Sequence, residues 1–167
     1  VGGHCIPIDP YYLTYKARAV NYHTRLIEMA GDINDEMPAY VVRRLQDLLN
    51  DREKPLKGSR ILLLGVAYKG DIEDLRESPA LRVWNKLEAN GAEVLYHDPY
   101  CPIVKRKGLH TPSVALEPDF LKGCDAVVIT TAHTRNVDYD LVRQHAPLIF
   151  DTKNVMKGDP SPNIVLL

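Results

Sequence analysis

The sequence predicts an α/β fold: a long connector helix followed by a doubly wound sheet of parallel strands. Three observations carry that reading. Apolar residues recur at steps of three or four through Leu26, Ala30, Ile33, Met37, Val41, Leu45 and Leu48, which marks one face of a helix. Beyond them, a polar segment over 51–58 with Pro55 and Gly58 marks a boundary. After that boundary, short apolar runs alternate with helical patterns, the order that builds a parallel sheet covered on both faces.

Each element follows from local chemistry. Residues 11–20 predict a short helix. A helix over 24–50 would be about 40 Å long at 1.5 Å per residue, and Pro38 inside it predicts a kink or two abutting helices. Such a rod outruns a small core and reads as a connector whose apolar stripe packs on a second chain. Residues 59–66 form the first strand. Ser78 supplies an N-cap and Pro79 a first helical position for a helix with Leu81, Val83, Trp84 and Leu87 that stops at Gly91. Strands are predicted at 92–97, 112–114, 126–130 and 148–151, with a last strand or packed tail at 164–167. Short helices fall near 118–121 and, capped by Asp138 or Asp140, up to about His145. Right-handed crossovers then give a Rossmann-like domain from Gly58 onward. The organisation is therefore a loop with a short helix over 1–20, a connector helix with its linker over 21–57, and the α/β domain over 58–167.

Composition narrows the function. The 167 residues carry a formal net charge of -1, which argues against general nucleic-acid binding. The apolar runs are too short to span a bilayer. Cys5, Cys101 and Cys124 have no metal-ligand spacing, so no metal is expected and a reducing cytoplasm suits them. The chain lacks an initiator methionine and reads as a piece of a longer protein.

The opening segment carries the most chemistry. Gly2 and Gly3 let the backbone approach a ligand, the Cys5 thiol can attack a carbonyl carbon, and the Asp9 carboxylate can manage water and protons beside it. Pro7 and Pro10 stiffen the frame. The structural alternative is a small buried cysteine beside a Gly-rich turn. In doubly wound sheets ligands bind beyond the carboxyl ends of the strands. Those ends carry Tyr68, Lys69, Asp71, Glu73, Asp74 and Arg76, then Asp98, then Thr130, Thr131 and His133, then Asp151, Lys153 and Asn154. Lys69 and Lys153 would line one rim, placed to hold a phosphate or a polar sugar. A dinucleotide at this rim is set aside, because the turn over 65–70 lacks Gly-x-Gly-x-x-Gly. The charged loop over 69–77 reads as reaching outward. His133 reads as a surface or loop histidine, Asp98 as a strand-ending turn residue, Trp84 as core, and Cys101 and Cys124 as packing residues.

Three segments together resemble the nucleotide-sugar 6-dehydrogenases, the UDP-glucose/GDP-mannose dehydrogenase family. They are Gly2-Gly3-His4-Cys5-Ile6-Pro7-Ile8-Asp9-Pro10-Tyr11-Tyr12-Leu13, then Gly65-Val66-Ala67-Tyr68-Lys69 with Asp74-Leu75-Arg76-Glu77-Ser78-Pro79-Ala80, and Phe150-Asp151-Thr152-Lys153-Asn154. The resemblance implies two successive NAD-dependent oxidations of a sugar C6 alcohol to a carboxylate, by way of a cysteine thiohemiacetal and thioester. It implies Cys5 as nucleophile and Asp9 as the assisting carboxylate. Gly2, Gly3, Tyr68, Lys69 and Lys153 would contact a UDP-sugar, and Arg76 the pyrophosphate of NAD held by another domain. Ile6-Pro7-Ile8, where UDP-glucose enzymes commonly carry a Phe and a Lys, is similar to the N-acetylhexosamine branch (GlcNAc or ManNAc), with UDP-glucose as the alternative. The resemblance also implies a homodimer or higher oligomer through the long helix, a separate N-terminal NAD-binding domain, and a role in polysaccharide biosynthesis. The segment alone is then expected to be inactive. A reading from another class stands beside this one: a nucleotide-binding or oligomerisation module with no chemistry of its own.

Overall fold

A computed structural model describes residues 5, 8–106 and 108–167. Two helices come first, α1 (Asp9–Arg18) and α2 (Arg25–Asn50). The α/β part follows as β1 (Arg60–Leu64), α3 (Pro79–Ala89), β2 (Glu93–His97), β3 (Ile103–Arg106), β4 (Leu109–Pro112), α4 (Pro118–Lys122), β5 (Ala126–Ile129), α5 (Tyr139–His145), β6 (Ile149–Asp151) and β7 (Ile164–Leu166). Five strands form a parallel sheet in the order β2-β1-β5-β6-β7. The mixed α/β class and the parallel sheet are those expected from the sequence.

Strand side chains alternate between two cores. Ile61, Leu63, Val128 and Phe150 pack with α2 and α3 on one face. Leu62, Leu64, Val127, Ile129 and Ile149 pack with Leu121 of α4 and Val142 of α5 on the other. The period of two along each strand places consecutive residues on opposite faces, so a run such as Ile61-Leu62-Leu63-Leu64 is apolar throughout because both faces are covered.

Helix α2 divides its roles near Pro38. Its second half contributes Val41, Val42, Leu45, Leu48 and Leu49 to the first core, all buried. Its first half leaves Leu26, Met29 and Ile33 exposed. Only that first half extends beyond the core. The helix is assigned as one element with Pro38 inside it. Helix α1 leans on the first half: Tyr11 lies so close to Gly31 that a Cβ there would meet the phenol oxygen at 1.9 Å, and Thr24 Oγ1 donates to Thr14 Oγ1 at 2.8 Å.

Three local expectations are corrected. The strand expected at 112–114 does not join the parallel sheet; Leu109–Pro112 pairs antiparallel with Ile103–Arg106 as a separate hairpin. Arg106 fastens this hairpin to α3, its guanidinium 4.4 Å above the Trp84 ring and 2.7 Å from Glu88 Oε1. Ser78 occupies the N-cap position of α3, but its hydroxyl donates to Val66 O at 2.6 Å instead of capping. The charged loop after β1 turns back on the domain rather than outward. Asp71 accepts from Thr134 N at 3.0 Å and Arg135 N at 3.2 Å, and also pairs with the Thr134 hydroxyl.

Candidate functional site

The strand order reverses between β1 and β5, since β2 and β5 lie on opposite sides of β1. Crevices at such switch points are where open α/β sheets bind ligands. Here the base of the crevice is closed by protein. Thr130 Oγ1 donates to Gly65 O and Thr131 Oγ1 to Ala67 O, both at 2.5 Å. Gly65 adopts a φ of +84°, and a Cβ on it would stand 2.5 Å from Thr131 Cβ. Only glycine accepts both that conformation and that approach.

The backbone amides that leave β1 are also taken. Val66 N and Ala67 N donate to Asp98 Oδ2 at 2.7 and 3.1 Å. Tyr100 N and Cys101 N donate to Asp98 Oδ1 at 2.9 and 3.1 Å. A dinucleotide-binding turn offers such amides to a pyrophosphate, whereas this one spends them on an internal carboxylate. Helix α3 begins only at Pro79, so no helix N-terminus faces the end of β1 directly. The residues at this turn therefore do not fit an NAD diphosphate.

Asp98 ends its strand and bonds the following turn as expected, with further bonds to the turn after β1, whereas His133 lies in a loop but is buried rather than on the surface. Both are 1 % exposed, and His133 Nε2 lies 3.1 Å from Asp98 Oδ2. Burial pushes the Asp98 carboxyl up, but the bonds from His133 and the Val66, Ala67 and Tyr100 amides outweigh it and bring the pKa down to about 2. His133 also stacks on Tyr100, with ring centroids 5.1 Å apart. The sequence held a signal: Asp-Pro directly after a buried strand, and a histidine after Thr-Thr-Ala at the end of another. Strand ends on neighbouring strands bring such residues together, but the pairing of β1 with both β2 and β5 has to be known first.

An open cleft lies to one side of the closed crevice, with a volume of about 240 Å³. Asn34, Met37 and Pro38 of α2 form one wall, and Glu77 and Arg82 of the α3 region another. Thr130, Thr152 and Lys153, from the ends of β5 and β6, form its floor. Lys153 is solvent-accessible, yet the surrounding protein displaces enough water to lower its ammonium below the ordinary lysine range. Desolvation is the sole cause of that shift. A desolvated cation lining a cleft gains by holding an anion or an array of hydroxyls.

The structure disperses the other expected site residues. Lys69 is exposed on the turn after β1, and half-buried Tyr68 donates its backbone N–H to Asp74 O at 2.9 Å. Arg76 is exposed and forks onto Asp74, with Nε at 3.0 Å from Oδ1 and Nη2 at 2.7 Å from Oδ2. These residues share the carboxyl-end side of the sheet with Lys153 but do not line its cleft. Cys5 is exposed, and its carbonyl accepts from Ile8 N at 3.0 Å and Asp9 N at 2.7 Å, so one tight turn joins the thiol-bearing residue to the carboxylate at the start of α1. Gly2 and Gly3 lie outside the described residues. Helix α2 is the common support: α1 packs on its first half and the cleft opens at its middle. Among the described residues there is no group of three or more His, Cys, Asp or Glu able to hold a metal, and no helix is long and apolar enough to cross a membrane.

The parallel sheet and the closed switch point give a Rossmann-like α/β domain whose first turn, its amides held by Asp98, does not fit a dinucleotide's diphosphate. Residues 62–158 match the UDP binding domain of the UDP-glucose/GDP-mannose dehydrogenase family, and residues 1–36 match that family's central domain. The chain belongs to this family. It is 35 % identical over 166 residues to UDP-N-acetyl-D-mannosamine dehydrogenase of Methanococcus maripaludis, a match covering 94 % of this chain and 36 % of that protein. It is 30 % identical to UDP-N-acetyl-D-glucosamine 6-dehydrogenase of Pseudomonas aeruginosa, over 96 % of this chain and 39 % of that one. The solved UDP-D-ManNAc dehydrogenase of Pyrococcus horikoshii superposes with a TM-score of 0.80 at 32 % identity, covering 99 % of this chain and 38 % of its own. The chain thus spans a little more than a third of the length of the relatives it matches.

Proposed function

We propose that this chain is the UDP-sugar-binding part of an NAD-dependent UDP-N-acetylhexosamine 6-dehydrogenase. The match of residues 62–158 to a UDP binding domain carries the reading, because that span contains the strand ends with Tyr68, Lys69 and Lys153. Lys69 and Lys153 hold the diphosphate and sugar hydroxyls as point charges, Tyr68 flanks them, and Gly2 and Gly3 let the catalytic loop lie against the sugar. Relatives named for N-acetylmannosamine and N-acetylglucosamine substrates support an N-acetylhexosamine over glucose.

NAD would supply the hydride acceptor for both oxidations, the first taking the C6 alcohol to its aldehyde with loss of the hydroxyl proton to solvent. The turn after β1, its amides held by Asp98, does not fit the NAD diphosphate. Arg76, exposed at the strand-end side and forked onto Asp74, is the residue of this chain that would contact the NAD pyrophosphate. The Cys5 thiolate adds to the C6 aldehyde carbon, and the aldehyde oxygen takes up a proton. Loss of hydride from C6, with the hydroxyl proton passing to solvent, leaves an acyl group on sulfur. Asp9 then takes a proton from water as its oxygen attacks that acyl carbon; the C–S bond breaks, freeing the carboxylate product and the thiol. Covalent capture keeps the aldehyde from diffusing away between the two oxidations.

The exposed apolar side chains on α1 and the first half of α2, among them Tyr12, Tyr15, Leu26 and Met29, support two covers: the NAD-binding domain and a second copy joined through α2. Three unpaired thiols suit a reducing cytoplasm, where the uronic acid product would feed polysaccharide synthesis. The test uses the full-length protein with NAD and a panel of UDP-GlcNAc, UDP-ManNAc and UDP-glucose. Two NADH formed per N-acetylhexosamine, and none from this chain alone, are expected. Release of an aldehyde after one NADH, or preference for UDP-glucose, overturns the corresponding part of the reading.

A further inference from the structure

The turn that presents Lys69 is held on its two flanks by a buried, mutually bonded pair, Asp98 and His133. Before Lys69, the amides of Val66 and Ala67 are tied to Asp98 Oδ2, and His133 Nε2 meets the same oxygen at 3.1 Å. After Lys69, the backbone N–H of Asp71 donates to His133 Nδ1 at 3.0 Å. Because Nδ1 accepts that bond, the neutral ring carries its proton on Nε2 and donates it to Asp98. Both nitrogens of the imidazole are thus committed, one directly to Asp71 and the other through Asp98 to Val66 and Ala67, on either side of the three-residue excursion Tyr68-Lys69-Gly70.

The surroundings leave this turn little freedom. Gly65, Val66 and Ala67 each have both backbone polar groups bonded, through His97 O, Thr130, Asp98, Ser78 and Thr131. A Cβ on Gly70 would lie 2.0 Å from Ala132 O, so the tip rests directly on the chain next to His133. Asp71 is held in the left-handed region at φ 62°, a conformation costly for a residue with a side chain and offset here by the bonds its amide and carboxylate make. Side-chain entropy favours a mobile lysine; fixing its backbone lowers the ordering cost of binding.

We propose that His133 is a positioning residue for UDP-sugar binding: by accepting from Asp71 and fixing Asp98, it clamps the turn over 66–71 so that Lys69 meets the diphosphate preorganised. This rests on the assignment of Lys69 to the substrate. His133 is buried and does not itself touch the ligand.

Two variants separate the two bonds. His133→Gln keeps a donor near the Nε2 position for Asp98 and gives up the acceptor for Asp71; His133→Asn keeps the acceptor and gives up the donor. In the full-length protein, UDP and UDP-sugar affinity is measured for both variants, for Lys69→Ala, and for the double variants, alongside amide exchange over 66–71 without ligand. Each His133 variant is expected to speed exchange in that segment and to weaken UDP binding about tenfold, the effect of roughly one lost buried hydrogen bond. KM for the UDP-sugar rises by the same factor with kcat little changed, and in the Lys69→Ala background the His133 variants add nothing further. Lys69→Ala weakening UDP while the His133 variants leave affinity unchanged, or act additively with it, overturns the clamp and leaves the Lys69 assignment standing. Unchanged UDP affinity in Lys69→Ala removes that assignment and the clamp's role in binding with it, even if the exchange result shows that His133 still holds the turn.

Discussion

Asp98 Oδ2 lies 2.7 Å from Val66 N, which binds the residue after β2 to the turn that leaves β1. The carboxylate is buried, ionised and saturated with donors, so its protonation is coupled to folding. Its pKa in the folded protein is about 2, below the ordinary value of 3.8. A depressed carboxylate contributes stability that is complete above the unfolded pKa and is lost as pH falls toward the folded one. Unfolding monitored by denaturant between pH 6 and pH 2 is expected to show a loss of about 2 kcal/mol from this group, concentrated below about pH 4. Asp98→Asn should flatten that part of the profile and lower stability at neutral pH, since an amide cannot accept at both positions.

Helix α2 predicts an asymmetry along its length. Leu45 is 0 % exposed, whereas Leu26 is 80 % exposed. Leu45→Ala is expected to cost about 2–5 kcal/mol by opening a cavity in the first core. Leu26→Ala should change the stability of the chain by less than about 0.5 kcal/mol. Sedimentation of the full-length protein checks the other half of the argument: Leu26→Ala with Met29→Ala should weaken self-association if a second copy covers this stripe.

Gly65 gives a sharper steric prediction. Its φ of +84° and the 2.5 Å approach of Thr131 to a built Cβ leave no room for a side chain. Gly65→Ala should destabilise the fold by about 2 kcal/mol or more, combining backbone strain with overpacking. Thermal unfolding measures it. Gly58, also at positive φ but with open space around its Cβ position, serves as the comparison and should lose only the strain part.

How much of this was legible in the sequence depends on the range of the interaction involved. The parallel sheet, α2 and α3 were readable because periodicity and the turn residues around them are local. Leu109–Pro112 was read a few residues late and assigned to the wrong sheet, because its partner is a neighbouring strand of four residues, Ile103–Arg106, too short to show alternation. The contact between His133 and Asp98 is not legible locally because they stand 35 positions apart. Their burial follows from β2 and β5 flanking β1, which no local pattern displays. Ser78 satisfied the statistics of an N-cap, yet a buried carbonyl at Val66 competed for its hydroxyl and won. Lys69 and Lys153 both follow strands, but only the structure separates a cleft residue from a turn residue.

Thiol chemistry supplies the last prediction. Burial pushes the Cys101 thiol up to about 12 and the Cys124 thiol up to about 11, with nearby Asp98 adding to the first and Arg60 opposing the second. Both are inaccessible as well, at 1 % and 2 % exposure, while Cys5 is exposed. Only a thiolate reacts readily with an alkylating agent, so burial withholds Cys101 and Cys124 both by access and by their raised pKa. In the folded full-length protein, a small alkylating reagent is expected to modify Cys5 alone, with Cys101 and Cys124 reacting only after denaturation. Saturating UDP-sugar should slow that modification if the thiol faces the substrate, and Cys5→Ser should abolish both the labelling and the second oxidation. Equal labelling of Cys101 in the native state would contradict the buried packing of the β2 end, and labelling of Cys5 that UDP-sugar leaves untouched would place the thiol away from the bound sugar.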